Sequence, residues 1–226
     1  MSEVQDSVGL EEIVDWMDSR ANVYRLLSRC FASEVDAALA QELARGFVLE
    51  SDNAMLSAEV DAMKAALSGI DDSGLEMLAV TFDRVFFGMG PLTAHHAFPY
   101  ESVYTSDRAI MMQQAYSQVV AAYREQRLAK DASFKEPEDH IAVELAFMAT
   151  LAQRCALLLR QGEEDAAVET VAQQLAFLLE HLLSWTDRFS ADLRRAAGEG
   201  FYFHLAQFAQ LFMEEDAALL AELLEV

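Results

Sequence analysis

Residues 135–145 read "KEPEDHIAVEL", and the chain continues as "AFMATLAQRCALLLR" to residue 160. A proline suits the start of a helix because its missing N–H has no intrahelical partner, and carboxylates in the first turn complement the helix dipole. The stretch therefore predicts a helix over 138–159, with Pro137 at its first helical position. Its buried face is predicted to consist of Ile141, Leu145, Met148, Cys155 and Leu158.

The composition indicates an all-α protein. The chain has 226 residues, of which 53% are hydrophobic, so it is long enough to fill a core. Only 3 prolines and 9 glycines are present, which leaves few of the turns that an all-β fold needs. We predict one all-helical domain over residues 1–226, a bundle of about nine to twelve helices with a long mid-chain loop. Two packed lobes, 1–126 and 136–226, are the alternative division.

The charge balance restricts the classes of partner. Lys and Arg number 16 against 38 Asp and Glu, a formal net charge of −22. Such a chain repels nucleic-acid phosphates and anionic membrane surfaces, whereas it attracts basic peptides. The sequence therefore predicts no nucleic-acid partner. The acidity is equally consistent with a helical protein that uses charge only to stay in solution.

The cysteines and the N-terminus predict a cytoplasmic protein. Cys30 and Cys155 stand far apart among apolar neighbours, which is typical of buried free thiols in a reducing compartment. The acidic start "MSEVQDSVGLEEIVDWM" lacks the basic-then-apolar order of a signal peptide. No apolar run is expected to approach the roughly 20 residues needed to cross a bilayer, so stable membrane insertion is not predicted.

Apolar periodicity divides the rest of the chain into helices. The first is predicted from Leu10 to about Cys30, and the segment from Ser106 to Gln126 is predicted as one helix capped by Ser106 or Asp107. Other helices are predicted over 34–48, 53–67, 73–87, 163–182, 184–197, 200–213 and 215–225.

The helical pattern fails over residues 88–105, "GMGPLTAHHAFPYESVYT", which hold two of the three prolines. A loop of this length inside a compact helical protein is more often functional than decorative. Its Tyr100 and Tyr104 flank a carboxylate and a hydroxyl, a combination typical of peptide-binding surfaces and equally of loops anchored by aromatic rings.

His140 precedes Glu144 by four residues, which places both on one side of a helix. The pair could belong to a metal site, an acid/base pair or a buried polar cluster, or the stretch could be only a well-capped helix start. No histidine follows a glutamate by three residues, and HExxH, GxxxxGK and GxSxG are absent. We therefore predict no enzymatic activity, no metal and no cofactor.

Three separated motifs together resemble the TorD/DmsD family of cytoplasmic redox-enzyme maturation chaperones. They are "FFGMGP…FPYESVY", "EPEDHIAVELAFMATL", and "FLLEHLLSWTDRFSADL…FYFHLAQFAQLF", and the resemblance extends from Trp16 to Met213. It implies an all-helical protein that binds the twin-arginine signal peptide and the apo form of a molybdoreductase of the dimethyl sulfoxide or trimethylamine N-oxide type. Such a chaperone assists insertion of the molybdenum cofactor and prevents premature export.

The resemblance also implies which residues bind the peptide. These are Tyr100, Glu101, Ser102 and Tyr104 in the loop, and Glu136, Pro137, Asp139 and His140 at the helix start. Relatives often carry tryptophan in the loop motif, where this chain has tyrosines, which leaves the preferred client open.

A twin-arginine leader presents two guanidinium groups and then an apolar stretch, so its receptor should offer carboxylates beside an apolar groove. We expect the loop and the start of the 138–159 helix to converge on one groove that includes the Ile141 and Leu145 face. His140 is expected to orient the acidic residues by hydrogen bonding rather than to act as a base.

Two alternatives to a leader-binding chaperone stay open on the sequence, an acidic helical adaptor and a metal-binding helical bundle. A monomer is expected. The links 88–105 and 127–135 leave a domain-swapped dimer as the alternative.

Overall fold

The computed structural model describes residues 9–49, 51–89 and 94–225, and within them the fold is all-α, as predicted. The acidic residues 1–8, and the "GP" of the loop motif within 90–93, lie outside the described residues. In chain order the elements are α1 (Leu10–Ala32), α2 (Ala37–Gly46), α3 (Ala54–Leu67), α4 (Asp72–Phe86), α5 (Glu101–Thr105), α6 (Gln114–Glu125), α7 (Ile141–Arg160), α8 (Glu164–Phe177), a π turn (Leu178–Leu182), α9 (Leu183–Ala197) and α10 (Phe201–Glu225).

Helices α1 and α7 form the central pair of the fold. The apolar stripe of α1, with Met17, Tyr24 and Leu27, is buried, and most of α7 is buried as well. Helix α8 packs on another side of α7, while α10 packs against α3, α8 and α9. A helix that is apolar nearly all round belongs at the centre of the core. The α1–α7 contact therefore sets the position of the remaining helices.

Helix α7 corrects one expectation. An 18-residue window of this helix has a mean hydropathy of 1.5, so by length and composition alone it could cross a membrane. Within the structure, however, 67% of that window is buried. The apolar run is accounted for by packing inside the protein.

Most predicted helix boundaries agree with the structure because local capping residues set them. Side chains of Asp36, Asn53 and Asp71 accept hydrogen bonds from the first-turn amides of α2, α3 and α4. Gly162 and Gly198 follow helix ends with φ of +74° and +71°, a region that favours glycine. Both cysteines are free and buried, as predicted.

The predicted helix from Ser106 is wrong at its start, since α6 begins only at Gln114. Ala109 and Met112 have φ of +50° and +56°, which interrupts a right-handed helix. The amide of Gln113 donates instead to the Ser102 hydroxyl, at 3.0 Å. A tertiary hydrogen bond thus holds this segment in a non-helical path. Neither predicted cap, Ser106 or Asp107, begins a helix.

Other predicted boundaries fail where a helix continues or an extra one forms. Helix α10 is uninterrupted, so the break predicted between 200–213 and 215–225 does not exist. The segments predicted as 163–182 and 184–197 are joined by the π turn rather than by a loop. The predicted loop 88–105 contains the short helix α5 at its end.

An ion pair between Arg20 and Asp216 crosses the core and joins α1 to α10. Both side chains are buried, and the guanidinium donates to both carboxylate oxygens. Asp216 also accepts from the Tyr24 hydroxyl at 2.6 Å, and Arg20 donates to Gln174 at 2.8 Å. The indole of Trp16 lies over the guanidinium, 4.7 Å from its carbon to the ring centroid. These contacts join α1, α8 and α10.

We predict that Asp216→Ala lowers the free energy of unfolding by about 3–5 kcal/mol, because it leaves the Arg20 charge buried and unpaired. Urea unfolding at neutral pH, followed by circular dichroism, measures the loss. The matched control is Asp18→Ala, which removes an exposed ion pair with Arg160 and should cost about 1 kcal/mol or less. Equal losses in the two variants would contradict the prediction.

Candidate functional site

The loop motif and the start of α7 meet through their backbones. An isolated antiparallel bridge joins Tyr100 to His140. On either side of this bridge a backbone amide, that of Glu101 or Ile141, donates to a carbonyl of the other segment at 2.9 Å. The predicted convergence of these two parts of the chain is confirmed.

Side chains strengthen the contact between the two segments. Asp139 is fully buried, and one of its carboxylate oxygens accepts from the backbone amide of Ser102 at 3.1 Å and from the Ser102 hydroxyl. The Tyr100 hydroxyl donates to the Glu136 carboxylate at 2.5 Å. Burial raises the pKa of Asp139, and the hydrogen bonds from Ser102 act against that rise. These contacts hold Tyr100 and Ser102 of the loop against Glu136 and Asp139 before α7.

Two buried residues that the sequence analysis did not single out complete this region. The Nδ1 atom of His181 lies 3.1 Å from a carboxylate oxygen of Glu101. The indole nitrogen of Trp185 donates to Glu144 at 3.3 Å. His181 belongs to the π turn, an element often found at functional sites. The only sequence signal for it is a histidine within the apolar run "FLLEHLL".

Glu101, Asp139 and Glu144 form what we call the buried acidic cluster. Among the described ion pairs its only basic partner is His181. Asp139 Oδ1 and Glu144 Oε1 accept no hydrogen bond from the described residues. Burial, and then the neighbouring carboxylates Glu101 and Asp139, raise the pKa of Glu144 well above its usual value. Both causes disfavour the ionised form of Glu144 in the folded protein.

His140 has a different environment from the predicted one. Its Nδ1 accepts from the amide of Ala142 at 3.1 Å, so it is the N-cap of α7. Its ring packs edge-on against Tyr100 and Phe134, at centroid distances of 5.2 and 5.3 Å. Burial, and then the charge of Lys130, lower its pKa to about 3. The expectation that His140 orients the acidic residues by hydrogen bonding is wrong, because none of the hydrogen bonds among the described residues joins its ring to an acidic side chain.

Two related expectations also need correction. Pro137 is not the first helical residue; it lies in the preceding turn, where its carbonyl accepts from the His140 amide at 3.2 Å. Of the alternatives left open for His140 and Glu144, the acid/base pair is not supported, because no hydrogen bond or ion pair among the described residues joins the two side chains. Among the described residues no cluster of three or more potential ligands could hold a metal ion.

The second loop tyrosine, Tyr104, is half-buried and stacks on Trp185 with ring centroids 5.4 Å apart. Its carbonyl accepts from the guanidinium of Arg188. Burial is the main cause that raises the pKa of this tyrosine. Of the eight predicted peptide-binding residues, three are half-buried, namely Tyr104, Glu136 and Pro137. The other five, Tyr100, Glu101, Ser102, Asp139 and His140, are buried.

An apolar groove with a volume of about 240 Å³ opens next to these residues. It lies between the end of α1, the first half of α7 and the segment 128–134. The predicted apolar face of Ile141 and Leu145 does not line it, because both side chains are buried in the core. Its floor and walls include Ser28, Ala32, Val143, Ala146, Phe147 and Phe134.

The groove and the acidic segment before α7 are in direct contact. Lys130, which lines the groove, donates through its Nζ to the backbone carbonyl of Glu136. Phe134, on the same wall, packs against His140. Glu136 and Glu138 are half-buried beside it, and the exposed Asp131 lines its mouth. This arrangement can bind an apolar segment that carries a cation at one end.

Comparisons with known proteins find similarity over most of the chain. The family model described as "Nitrate reductase delta subunit" matches residues 50–191. The chaperone protein TorD of Shewanella sp. (strain ANA-3) is 32% identical, over 90% of this chain and 94% of its own length. TorD of Aliivibrio salmonicida is 27% identical, over 94% of this chain and 99% of its own. TorD of Vibrio cholerae is 29% identical, over 96% and 98% respectively.

We predict that His140 makes the fold sensitive to acid. Its pKa is lowered to about 3 from an ordinary value of 6.5. Its contribution to stability is therefore complete above pH 6.5 and falls by about 1.4 kcal/mol per pH unit as the pH drops toward 3. His140→Asn keeps a capping acceptor and removes the titration. The urea midpoint of the wild type should fall more steeply with acid than that of the variant, and parallel curves would contradict this.

Glu144→Gln tests a titration that lowers stability as the pH rises, the opposite of the effect at His140. Because the folded-state pKa is raised, stability from the protonated Glu144 is complete below its ordinary value of 4.5 and is lost as the pH rises. Glutamine imitates the neutral acid, so the variant should be more stable than the wild type by about 1 kcal/mol or more near pH 7. Near pH 4 the wild type and the variant should have the same free energy of unfolding. The control Glu180→Gln, exposed on the π turn, should leave the free energy of unfolding unchanged at both pH values.

Proposed function

The chain belongs to the family of the nitrate reductase delta subunit and the TorD chaperone proteins, and from this membership we propose that it is a cytoplasmic chaperone in the maturation of a molybdenum-cofactor oxidoreductase. The prediction of a non-enzymatic protein is confirmed by its relatives, which are chaperone proteins.

The proposed client is a reductase of the dimethyl sulfoxide or trimethylamine N-oxide type. The chain binds the twin-arginine signal peptide and the apo form of this reductase, assists insertion of the molybdenum cofactor, and prevents export before insertion is complete. A net charge of −22 attracts a leader that carries two arginines, and it speeds their encounter.

The observation that carries the proposal is the apolar groove beside the carboxylate-bearing segment that precedes α7. The apolar stretch of the leader lies along Ala146 and Val143, where small side chains allow close approach. Its two guanidinium groups meet Glu136 and Glu138, which are half-buried and therefore reachable. Carboxylates pair well with guanidinium because both groups are planar and can form two parallel hydrogen bonds.

The eight predicted peptide-binding residues divide into two roles under this proposal. Glu136, Pro137 and Tyr104 are partly exposed and can contact the peptide. The five buried residues act through shape, since they hold the loop against the start of α7. The Tyr100 hydroxyl, for example, fixes the carboxylate of Glu136 at the rim.

Calorimetric titration with a synthetic twin-arginine leader from a molybdoreductase tests this function. Ala146→Trp fills the groove from an exposed helical position and should weaken binding about tenfold or more. Its control is Gln153→Trp, an exposed position on the same helix outside the groove.

The charge contribution has its own pair of variants. Glu136→Gln/Glu138→Gln should weaken binding of the twin-arginine leader more than binding of a twin-lysine version, because lysine lacks the forked donors of arginine. Glu163→Gln/Glu164→Gln removes the same net charge at exposed positions far along the chain and should have little effect. Absence of binding to any such leader would reject the function, and binding that ignores the arginine pair would favour the acidic adaptor.

A further inference from the structure

Helix α4 exposes an apolar stripe that no described element covers. Met77 and Val80 of α4, and Phe87 directly after its last residue, are 63%, 51% and 44% exposed, and their spacing places them along one side. The opposite side, with Phe82 and Phe86, packs into the core. Scattered exposed apolar residues are ordinary, whereas an aligned stripe of them marks a contact surface.

The segment that returns along the end of α4 extends this stripe. The amide of Ala97 donates to the Val85 carbonyl at 2.9 Å, which fixes the segment against the helix. A side chain on Gly88, whose φ is +67°, would lie 3.5 Å from the Phe98 ring. The positive φ favours glycine at this position, and the Phe98 ring lies beside it at an ordinary contact distance. Phe98 and Met89 are exposed there.

A cleft with a volume of about 440 Å³ borders the stripe, between α4 and the turn after α1. Phe82 and Phe87 are its aromatic lining residues, and Glu34 and Asp83 are among the carboxylates around it. Arg29, the one cation among the described residues that line it, already donates to Asp36 and to the Ser33 and Glu34 carbonyls. The cleft therefore combines aromatic surface with negative charge that its own arginine does not fully balance.

The cleft is a neighbour of the groove next to α7. Ala32, the last residue of α1, lines both of them. A polypeptide that leaves the groove across Ala32 enters the cleft and then reaches the α4 stripe. The two surfaces can serve a single partner.

We propose that the α4 surface, consisting of Met77, Val80, Phe87, Met89, Phe98 and the adjoining cleft, binds a second segment of the client, an amphipathic helix of the apoenzyme outside its leader with lysine or arginine beside its apolar face. This inference rests on the proposed chaperone function.

Dimensions and chemistry favour this occupant. The ten helical steps from Met77 to Phe87 cover about 15 Å, which matches about three turns of a packed helix. Methionine side chains adapt to different apolar partners, as a chaperone surface requires. A second copy of this chain would bring the same acidic cleft and a net charge of −22, so like charges would oppose its docking.

The test uses the full chain and two probes, a synthetic twin-arginine leader and the apo form of a trimethylamine N-oxide reductase that lacks its leader. Met77→Ser/Val80→Ser changes two side chains that are more than half exposed, so folding should be preserved. We expect it to weaken binding of the leaderless apoenzyme about fivefold or more and to leave leader binding unchanged. The matched control is Met55→Ser/Val168→Ser, at equally exposed positions on α3 and α8.

The outcomes separate this inference from the proposed function. If the wild type does not bind the leaderless apoenzyme, or if both double variants bind it as well as the wild type does, the α4 inference is overturned. Leader binding still decides the proposed function. If sedimentation shows a dimer that the Met77→Ser/Val80→Ser variant dissociates, a second copy occupies the surface and the inference is likewise overturned. If the Ala146→Trp variant loses leader binding while the Met77→Ser/Val80→Ser variant keeps it, the result supports two separate surfaces.

The charge of the cleft is tested independently. Glu34→Gln/Asp83→Asn should weaken binding of the leaderless apoenzyme and make that binding less dependent on salt. Glu163→Gln/Glu164→Gln is again the control for net charge. Equal salt dependence in these two variants would contradict a basic partner in the cleft.

Discussion

The antiparallel contact between the loop motif and the start of α7 is the constraint on which the site depends. Its backbone hydrogen bonds place Tyr100 beside His140 and carry Asp139 into the interior. A buried carboxylate requires donors, and Ser102 supplies them from the other segment. The same contact positions Glu136 at the edge of the groove through the Tyr100 hydroxyl. One short piece of backbone pairing thus organises both the buried and the exposed parts of the site.

Buried charge has two different solutions in this protein. Arg20 and Asp216 compensate one another and join three helices, so the frame of the fold contains a fully paired interaction. The buried acidic cluster has three carboxyl groups with His181 as their basic partner among the described ion pairs, and burial raises the pKa of Glu144 there.

The sequence predicts those features that neighbouring residues determine. Amphipathic spacing and caps such as Asp36 and Asn53 locate α1 to α4, and motif resemblance indicates which two segments belong together. The late start of α6 depends on a hydrogen bond from Gln113 to Ser102, a contact that no local pattern reveals. Whether Asp139 faces a peptide or the core is likewise decided by partners distant in sequence. The sequence therefore indicates the location of the site better than the exposure of its residues.

The π turn between α8 and α9 has a consequence for helix register. Each residue added to a helix rotates the next part of that helix by about 100°. The extra residue in Leu178–Leu182 therefore determines which side of α9 faces the core, where Trp185, Phe189 and Leu193 are buried. Deletion of a single residue from this turn would convert it to regular α-helix and rotate those three side chains away from α5 and α10. This one-residue deletion, without any substitution, would then break the hydrogen bond from the Trp185 indole to Glu144.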